Sequence, residues 1–196
     1  MFQCTEFEDW RKLLWKFTNL SADERRKFSW ICPTLESLKI IQRQLQNHGI
    51  RNILSIGCGS GFFEWILKES CGVRVSGLEL DNSWWTSAYA PATFIPLHFT
   101  QTPITEKFLK ECASGENFSL LFVYFNNGPA FWEYLEQFPG DFVLIAGPEA
   151  GAGIHTNPSP YALLSENAPK VGSWLQEAKL DVGDSVNIIA IYKRVK

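Results

Sequence analysis

The stretch Ile53–Leu67, ILSIGCGSGFFEWIL, joins a short apolar run to a helical pattern through Gly57, Gly59 and Gly61. A turn straight from a buried strand into a helix needs glycine for two reasons. One position takes a dihedral closed to residues with a Cβ, and another lets backbone approach a ligand. The helix start then offers free N–H groups to an anionic or carboxylate-bearing ligand.

Spacing separates the ligand classes. A dinucleotide fingerprint would place glycine at 57, 59 and 62, but position 62 is Phe and the third glycine is at 61. With Phe62 and Phe63 at the helix start, a pyrophosphate would meet bulky apolar side chains, which disfavours a nucleotide-dependent oxidoreductase. No Gly-Lys-Ser/Thr follows, so a P-loop is ruled out. Downstream, VSGLELD (Val75–Asp81) ends a second apolar run with Glu79, 22 residues after Gly57. An acid at about 20 residues from the first glycine accepts hydrogen bonds from a ribose. Asp81 is the alternative acid, but strand alternation favours Glu79 at the tip. An adenosine-containing ligand follows.

Outward from the turn, strand and helix patterns alternate. NILSI (52–56) reads as a buried parallel strand, and FFEWILKES as a helix. GVRVSGLEL is a second strand and SWWTSAYA a short helix ending near Pro91. ATFIPLHFT is a third strand, put at a sheet edge by Pro96. TEKFLKECAS is a helix, FSLLFVYF a fourth strand, PAFWEYLEQF a helix and DFVLIAG a fifth strand. Two extended runs, Trp174–Leu180 and Val186–Lys193, flank DVGDS, whose residues suit a hairpin turn. The prediction is an α/β, Rossmann-like, seven-stranded, mostly parallel sheet with a C-terminal antiparallel hairpin, helices on both faces and an N-terminal helical extension. Residues 1–50 form the helical cap, with Ser21 and Thr34 as N-caps, and 51–196 the α/β domain.

The glycine turn followed by VSGLELD resembles motifs I and II of the class I S-adenosylmethionine-dependent methyltransferases. The likeness runs from about Asn52 to Lys193 and includes the closing hairpin. It implies S-adenosyl-L-methionine as cofactor, S-adenosyl-L-homocysteine as product and no metal. Gly57, Cys58 and Gly59, with Gly61 closing the turn, would pass along the methionine part, and Glu79 would bind the ribose hydroxyls. Leu80 would flank the adenine. The end of the third strand, Leu97–Thr100 with His98 and Phe99, would lie beside the ring, where relatives often carry an acid. Many relatives also carry an acid two residues before the first glycine. Here that place is Ser55, so contact with the cofactor's amino group must come from elsewhere, with Tyr124, Phe125 and Asn126 as candidates. The N-terminal helices would cover the open carboxyl side of the sheet.

YFNNGPAFW does not match the Asn/Asp-Pro-Pro-aromatic motif of amino-methylating relatives, and Asn126-Asn127 equally suit a capped turn. The long segment Gly147–Pro169 leaves the carboxyl end of the fifth strand, where ligands of such sheets bind. Its His155 and Glu149 are the candidate catalytic groups, His155 as a base. The competing reading of His155 is a loop-fixing hydrogen bond. His48 reads as structural. Trp10, Trp15, Trp30 and Tyr161 are candidates for an aromatic pocket.

Bulk properties agree. The formal net charge is −3 over 196 residues, and the one dense basic run, ERRK, reads as a solvated helix face, so nucleic acid is disfavoured. Five scattered cysteines without a CxxC pair fit a reducing compartment and neither zinc nor disulfides. No signal-like N-terminus and no run of 18 apolar residues is present. The expectation is a cytoplasmic enzyme that methylates a small molecule or a protein side chain. The alternative is a non-catalytic module that keeps the fold to bind cofactor or a partner.

Overall fold

The strand β1, Asn52–Ile56, is buried along its whole length because both of its faces are covered. In the computed structural model, which describes residues 9–164, 171–183 and 186–195, its odd and even positions feed two different cores. Ile53 lies among Leu38, Ile41, Phe63, Ile66 and Leu67. Leu54 and Ile56 lie with Leu109, Leu120, Phe131 and Leu135. A strand buried on both faces carries an uninterrupted apolar run, which is what NILSI nearly is. Ser55 is the exception.

Around β1 the chain winds a seven-stranded sheet in the order β3-β2-β1-β4-β5-β7-β6. The strands are β2 Arg74–Glu79, β3 Leu97–Phe99, β4 Phe118–Val123, β5 Phe142–Pro148, β6 Trp174–Asp181 and β7 Asn187–Arg194. β1 to β5 pair in parallel. β7 enters antiparallel between β5 and β6. The expected α/β sheet and its closing antiparallel hairpin are therefore present. Asp184 and Ser185 of the expected turn lie outside the described residues, as do Cys4 and Phe7.

Helices α1 (Trp10–Thr18), α3 (Leu35–Asn47) and α4 (Phe62–Cys71) cover one face, and α6 (Glu106–Cys112) and α7 (Gly128–Gln137) the other. Two shorter ones, α2 (Ala22–Arg26) and α5 (Asn82–Trp85), are surface turns. The helix starts follow cap chemistry. Ser21 and Glu24 form the expected capping box on α2, and Thr34 forms another with Ser37 on α3. The basic run behind Ser21 is occupied locally: Arg26 pairs with Asp23, and Arg25 donates to the Leu20 carbonyl. The N-terminal helices do not simply roof the carboxyl side. α1 and α3 pack laterally on α4, sharing Leu14, Phe17, Leu38 and Leu45 with its core. The segment before α3 meets the carboxyl end. There Asn187 donates to the Trp30 carbonyl and Gly183 to that of Cys32.

Several boundaries move for identifiable reasons. β3 shrinks from the expected 92–100 because Pro96 has no N–H for the ladder. It sits at the sheet edge, as the proline requires. β4 stops at Val123, since Tyr124 takes a left-handed φ of 49° and leaves the strand. β2 starts at Arg74 because Gly72 ends α4 with φ 69°. α5 starts at Asn82, where Asp81 caps it.

Phe63 is 2% exposed at the centre of the α4 contact. Phe63→Ala is expected to cost about 3–5 kcal/mol in urea unfolding, whereas Thr34→Ala, which removes only a cap, costs about 1 kcal/mol.

Candidate functional site

The glycine turn lies at the carboxyl end of β1, between β2 and β4. Gly57, Gly59 and Gly61 all adopt left-handed φ, at 68°, 61° and 76°. Each is hemmed in differently. A Cβ on Gly61 would lie 2.4 Å from Ile95 Cγ1, and one on Gly57 would lie 3.0 Å from the Phe125 ring. A Cβ on Gly59 would meet nothing within 4 Å, so this glycine faces open space. The turn is braced from β2 and from the segment before β3. The Gly57 N–H donates to the Leu78 carbonyl and the Phe94 N–H to that of Ser60. Cys58 fits against Gly77, where a Cβ would stand 2.2 Å from its Sγ. Burial, reinforced by the carboxyls of Glu64 and Glu79, holds that thiol far above its ordinary pKa. Cys58 is thus a packing residue and no nucleophile.

Glu79 ends β2 beside the turn, and the Gly59 N–H donates to its Oε1 at 2.6 Å. Asp81 is engaged elsewhere, accepting from the Trp84 N–H and the Ser83 hydroxyl. Of the two acids weighed from sequence, Glu79 alone faces the turn. Leu80, next along, is 79% exposed, and Trp84 and Tyr89 nearby are also exposed. On β3, Phe99 is the register partner of Glu79, and His98 that of Leu78. Phe99 therefore stands on the Glu79 side of the sheet edge. Phe62 and Phe63 are buried, with Phe62 ringed by Phe17, Phe28 and Phe94. Neither ring would meet a ligand, so the glycine spacing alone separates this turn from a dinucleotide fingerprint.

The end of β4 forms the opposite wall. The Tyr124 hydroxyl donates to Asn187 Oδ1, and the Tyr124 ring stacks on Trp30 at 5.0 Å. Phe125 lies over Gly57. Asn126 accepts from the Asn157 N–H at 3.0 Å, and Asn127 caps α7. Of the aromatic candidates, Trp30 reaches this wall. Trp15 is 68% exposed on α1, and Trp10 packs beside Arg11.

The two titratable loop residues differ. Glu149 is clamped by Lys179 and by the Tyr161 hydroxyl, and it also accepts from the Ala150 N–H. These partners, Lys179 foremost, hold its carboxyl down at about 2. Such a group does not accept a proton near neutrality. His155 is exposed, two residues before Asn157. His48 lies at 4.0 Å from Glu177 and tilts against Phe142, beyond the amino end of β1.

One acid escaped the sequence reading. Glu64, in the first turn of α4, is 2% exposed, and the Ser55 hydroxyl donates to its Oε1 at 2.8 Å. Burial foremost, with a smaller push from the charge of Glu79, raises its carboxyl to about 7, against the pull of Ser55. Its spacing to Leu67 and Cys71, three and seven residues on, places it on the buried helix face. An acid at such a position was the available signal.

This architecture is shared with solved structures. An O-methyltransferase from Bacillus cereus, solved with S-adenosylhomocysteine, superposes with a TM-score of 0.52 at 14% identity, over 97% of this chain and 93% of that one. The O-methyltransferase TomG from Streptomyces achromogenes, solved with S-adenosylmethionine, gives 0.51 at 11% identity, over 98% and 92%. The chain has the class I methyltransferase fold. A cyclopropane-fatty-acyl-phospholipid synthase-like protein from Lactobacillus casei matches as well, with a TM-score of 0.51 at 14% identity over 93% and 99%. No family model and no curated protein sequence matches the chain. Among the described residues, no helix is long and apolar enough to cross a membrane.

The glycines divide into packed positions and one that faces open space, which stability measurements distinguish. Gly59→Ala carries only the left-handed penalty and is expected to cost about 1–2 kcal/mol in urea unfolding. Gly61→Ala adds the collision with Ile95 and is expected to cost more than Gly59→Ala. Equal losses would contradict the packing described.

Proposed function

We propose that this protein is an S-adenosylmethionine-dependent methyltransferase acting on a small molecule or a protein side chain. The observation that carries the reading is the Glu79 carboxylate held by the Gly59 N–H beside a left-handed glycine turn that opens onto free space. One oxygen of Glu79 is occupied by that amide. The other would accept hydrogen bonds from the vicinal hydroxyls of a ribose. Gly57, Cys58 and Gly59 present backbone to the amino-acid part. Leu80 covers one side of the adenine, with Phe99 and His98 at its edge. Phe125 and Asn126 bound the side toward β4.

When bound, the sulfonium supplies an activated methyl carbon. The acceptor's lone pair would take that carbon as the carbon–sulfur bond broke, leaving S-adenosylhomocysteine. The acceptor's proton passes to a base or to water. The protein's part is to align donor and acceptor and to exclude solvent, which by itself lowers the barrier strongly. Trp30 and Tyr124, stacked at the end of β4, offer a flat wall for the acceptor. Glu149 serves as a clamp: with Lys179 and Tyr161 it fixes the loop that leaves β5. His155 is the one histidine in the sequence of that loop and is assigned as the base. The sequestration of Glu149 favours one second reading, a cofactor-binding module without turnover.

Calorimetry of the full chain should show binding of S-adenosylhomocysteine, weakened at least tenfold in Glu79→Ala. Absence of binding by both S-adenosylmethionine and S-adenosylhomocysteine to folded protein would overturn the reading.

Turnover with an acceptor drawn from a panel of phenols, thiols, amines and peptides would separate enzyme from module. His155→Ala should then lower kcat at least tenfold with unchanged S-adenosylhomocysteine affinity, and an unaltered kcat would remove His155 from the mechanism.

A further inference from the structure

Ser55 and Glu64 pose a problem that the cofactor reading leaves unanswered. Ser55 is fully buried, yet it stands where related turns carry an acid, and its hydroxyl is given to Glu64. Glu64 is itself 2% exposed. The groups acting on it are the Ser55 hydroxyl from β1, its own backbone N–H in α4 and the Glu79 charge from β2, with the Cys58 thiol of the turn beside it. Among the described residues none of these is cationic, and none comes from α1 or α3, which pack on the same helix. Among the described residues no ion pair involves Glu64. A carboxyl this deep must either keep its proton or receive a positive charge, because an isolated buried anion is too costly. Cys58 of the glycine turn lies within its electrostatic reach, and the next residue of that turn, Gly59, faces open volume.

We propose that Glu64 is the counter-ion for the ammonium group of the cofactor's amino-acid part, oriented by Ser55, and that cofactor binding therefore expels a proton from it. This rests on the cofactor reading above. The acid is supplied from the first turn of α4, and β1 supplies the hydroxyl that orients it. The two side chains meet at hydrogen-bond distance across the strand–helix interface. Function thus explains why an acid lies among Phe63, Ile66 and Leu67, where packing would favour a hydrocarbon.

The sign of the linkage is fixed by the raised carboxyl. Below about 7 the apo protein holds the proton, and an arriving ammonium must displace it. Above that value the carboxylate is already charged. Affinity for an amino-acid-bearing ligand therefore rises with pH through about 7 and then levels off. Between pH 6 and pH 8 a group titrating at about 7 changes its ionised fraction about tenfold, which sets the largest effect. The folding linkage runs the other way. A carboxyl raised on folding stabilises the apo protein while it keeps its proton, and that contribution fades as pH climbs from the unfolded value through about 7.

Isothermal titration of the full chain with S-adenosylhomocysteine and with 5′-methylthioadenosine, which lacks the amino-acid part, tests this. For the wild type, S-adenosylhomocysteine should bind up to tenfold more tightly at pH 8 than at pH 6, while methylthioadenosine should bind equally at both. Titrations at pH 7 in buffers of different ionisation heat should show proton release with the first ligand only. Glu64→Gln should bind S-adenosylhomocysteine at least tenfold more weakly at pH 8, lose the pH dependence and hold methylthioadenosine as the wild type does. Two outcomes overturn the proposal and leave the cofactor reading standing. One is pH-independent S-adenosylhomocysteine binding without proton release, and the other is equal weakening of both ligands in Glu64→Gln. Failure of the wild type to bind either ligand overturns both. The two wild-type measurements decide the matter even if the variant does not fold.

Discussion

One hydrogen bond, from the Gly59 amide to the Glu79 carboxylate, ties the ends of β1 and β2 into a single edge. It exists only because Gly59 holds a left-handed φ that swings its N–H toward the second strand. Everything around it serves that geometry. Cys58 wedges against Gly77, Gly61 lies against Ile95, and Phe94 bonds back to Ser60. The edge is therefore built before any ligand arrives, and the ordering cost of the turn is met by folding. Asp81, two residues from Glu79, is diverted to cap α5 and leaves Glu79 without a local competitor.

A second set of contacts fixes the far wall, and it draws on residues distant in sequence. Asn126 holds the backbone of Asn157, Tyr192 donates to the Pro160 carbonyl, and Glu149 is gripped by Lys179 and Tyr161. The loop leaving β5 is thus bound at three places to β4, β7 and β6. A long loop over the carboxyl end of a sheet can hold a defined shape only through such cross-ties, since its own backbone forms no ladder. The same ties reassign Glu149. A carboxylate paired with an ammonium and a phenol is suited to holding a position and unsuited to moving protons at neutral pH.

These two walls differ in how far the sequence revealed them. NILSI read correctly as β1 because a doubly buried strand leaves an apolar run with sharp polar ends, and the place of Glu79 at the tip of β2 followed from strand alternation. The edge placement of β3 followed from Pro96. The cap of α3 followed from Thr34. What failed depended on contacts between distant segments or on a local twist. Tyr124 belongs to a β-prone run, but its left-handed φ ends β4 at Val123, two residues short of that run. The partner of Glu149 is 30 residues away, on a strand whose register no local pattern reveals. The helices before β1 were visible, but their lateral packing on α4 was not, because amphipathic spacing shows that a face is buried and is silent on which neighbour buries it.

Ser55 shows the limit of reading motifs by position. Judged against the pattern of related turns, it is a missing acid, and contact with the cofactor's amino group had to be sought elsewhere. Judged by volume, the acid is present, 2.8 Å away on α4. A carboxylate needs only to stand within reach of the charge it balances, and a strand and the helix that follows it can both reach the same point. Strand and helix residues nine positions apart can therefore exchange roles while the electrostatics at that point stay the same. On the proposed pairing with an ammonium, the identities at 55 and 64 are coupled: one acid beside one small hydroxyl suffices, whereas two acids would place like charges together in a dry interior.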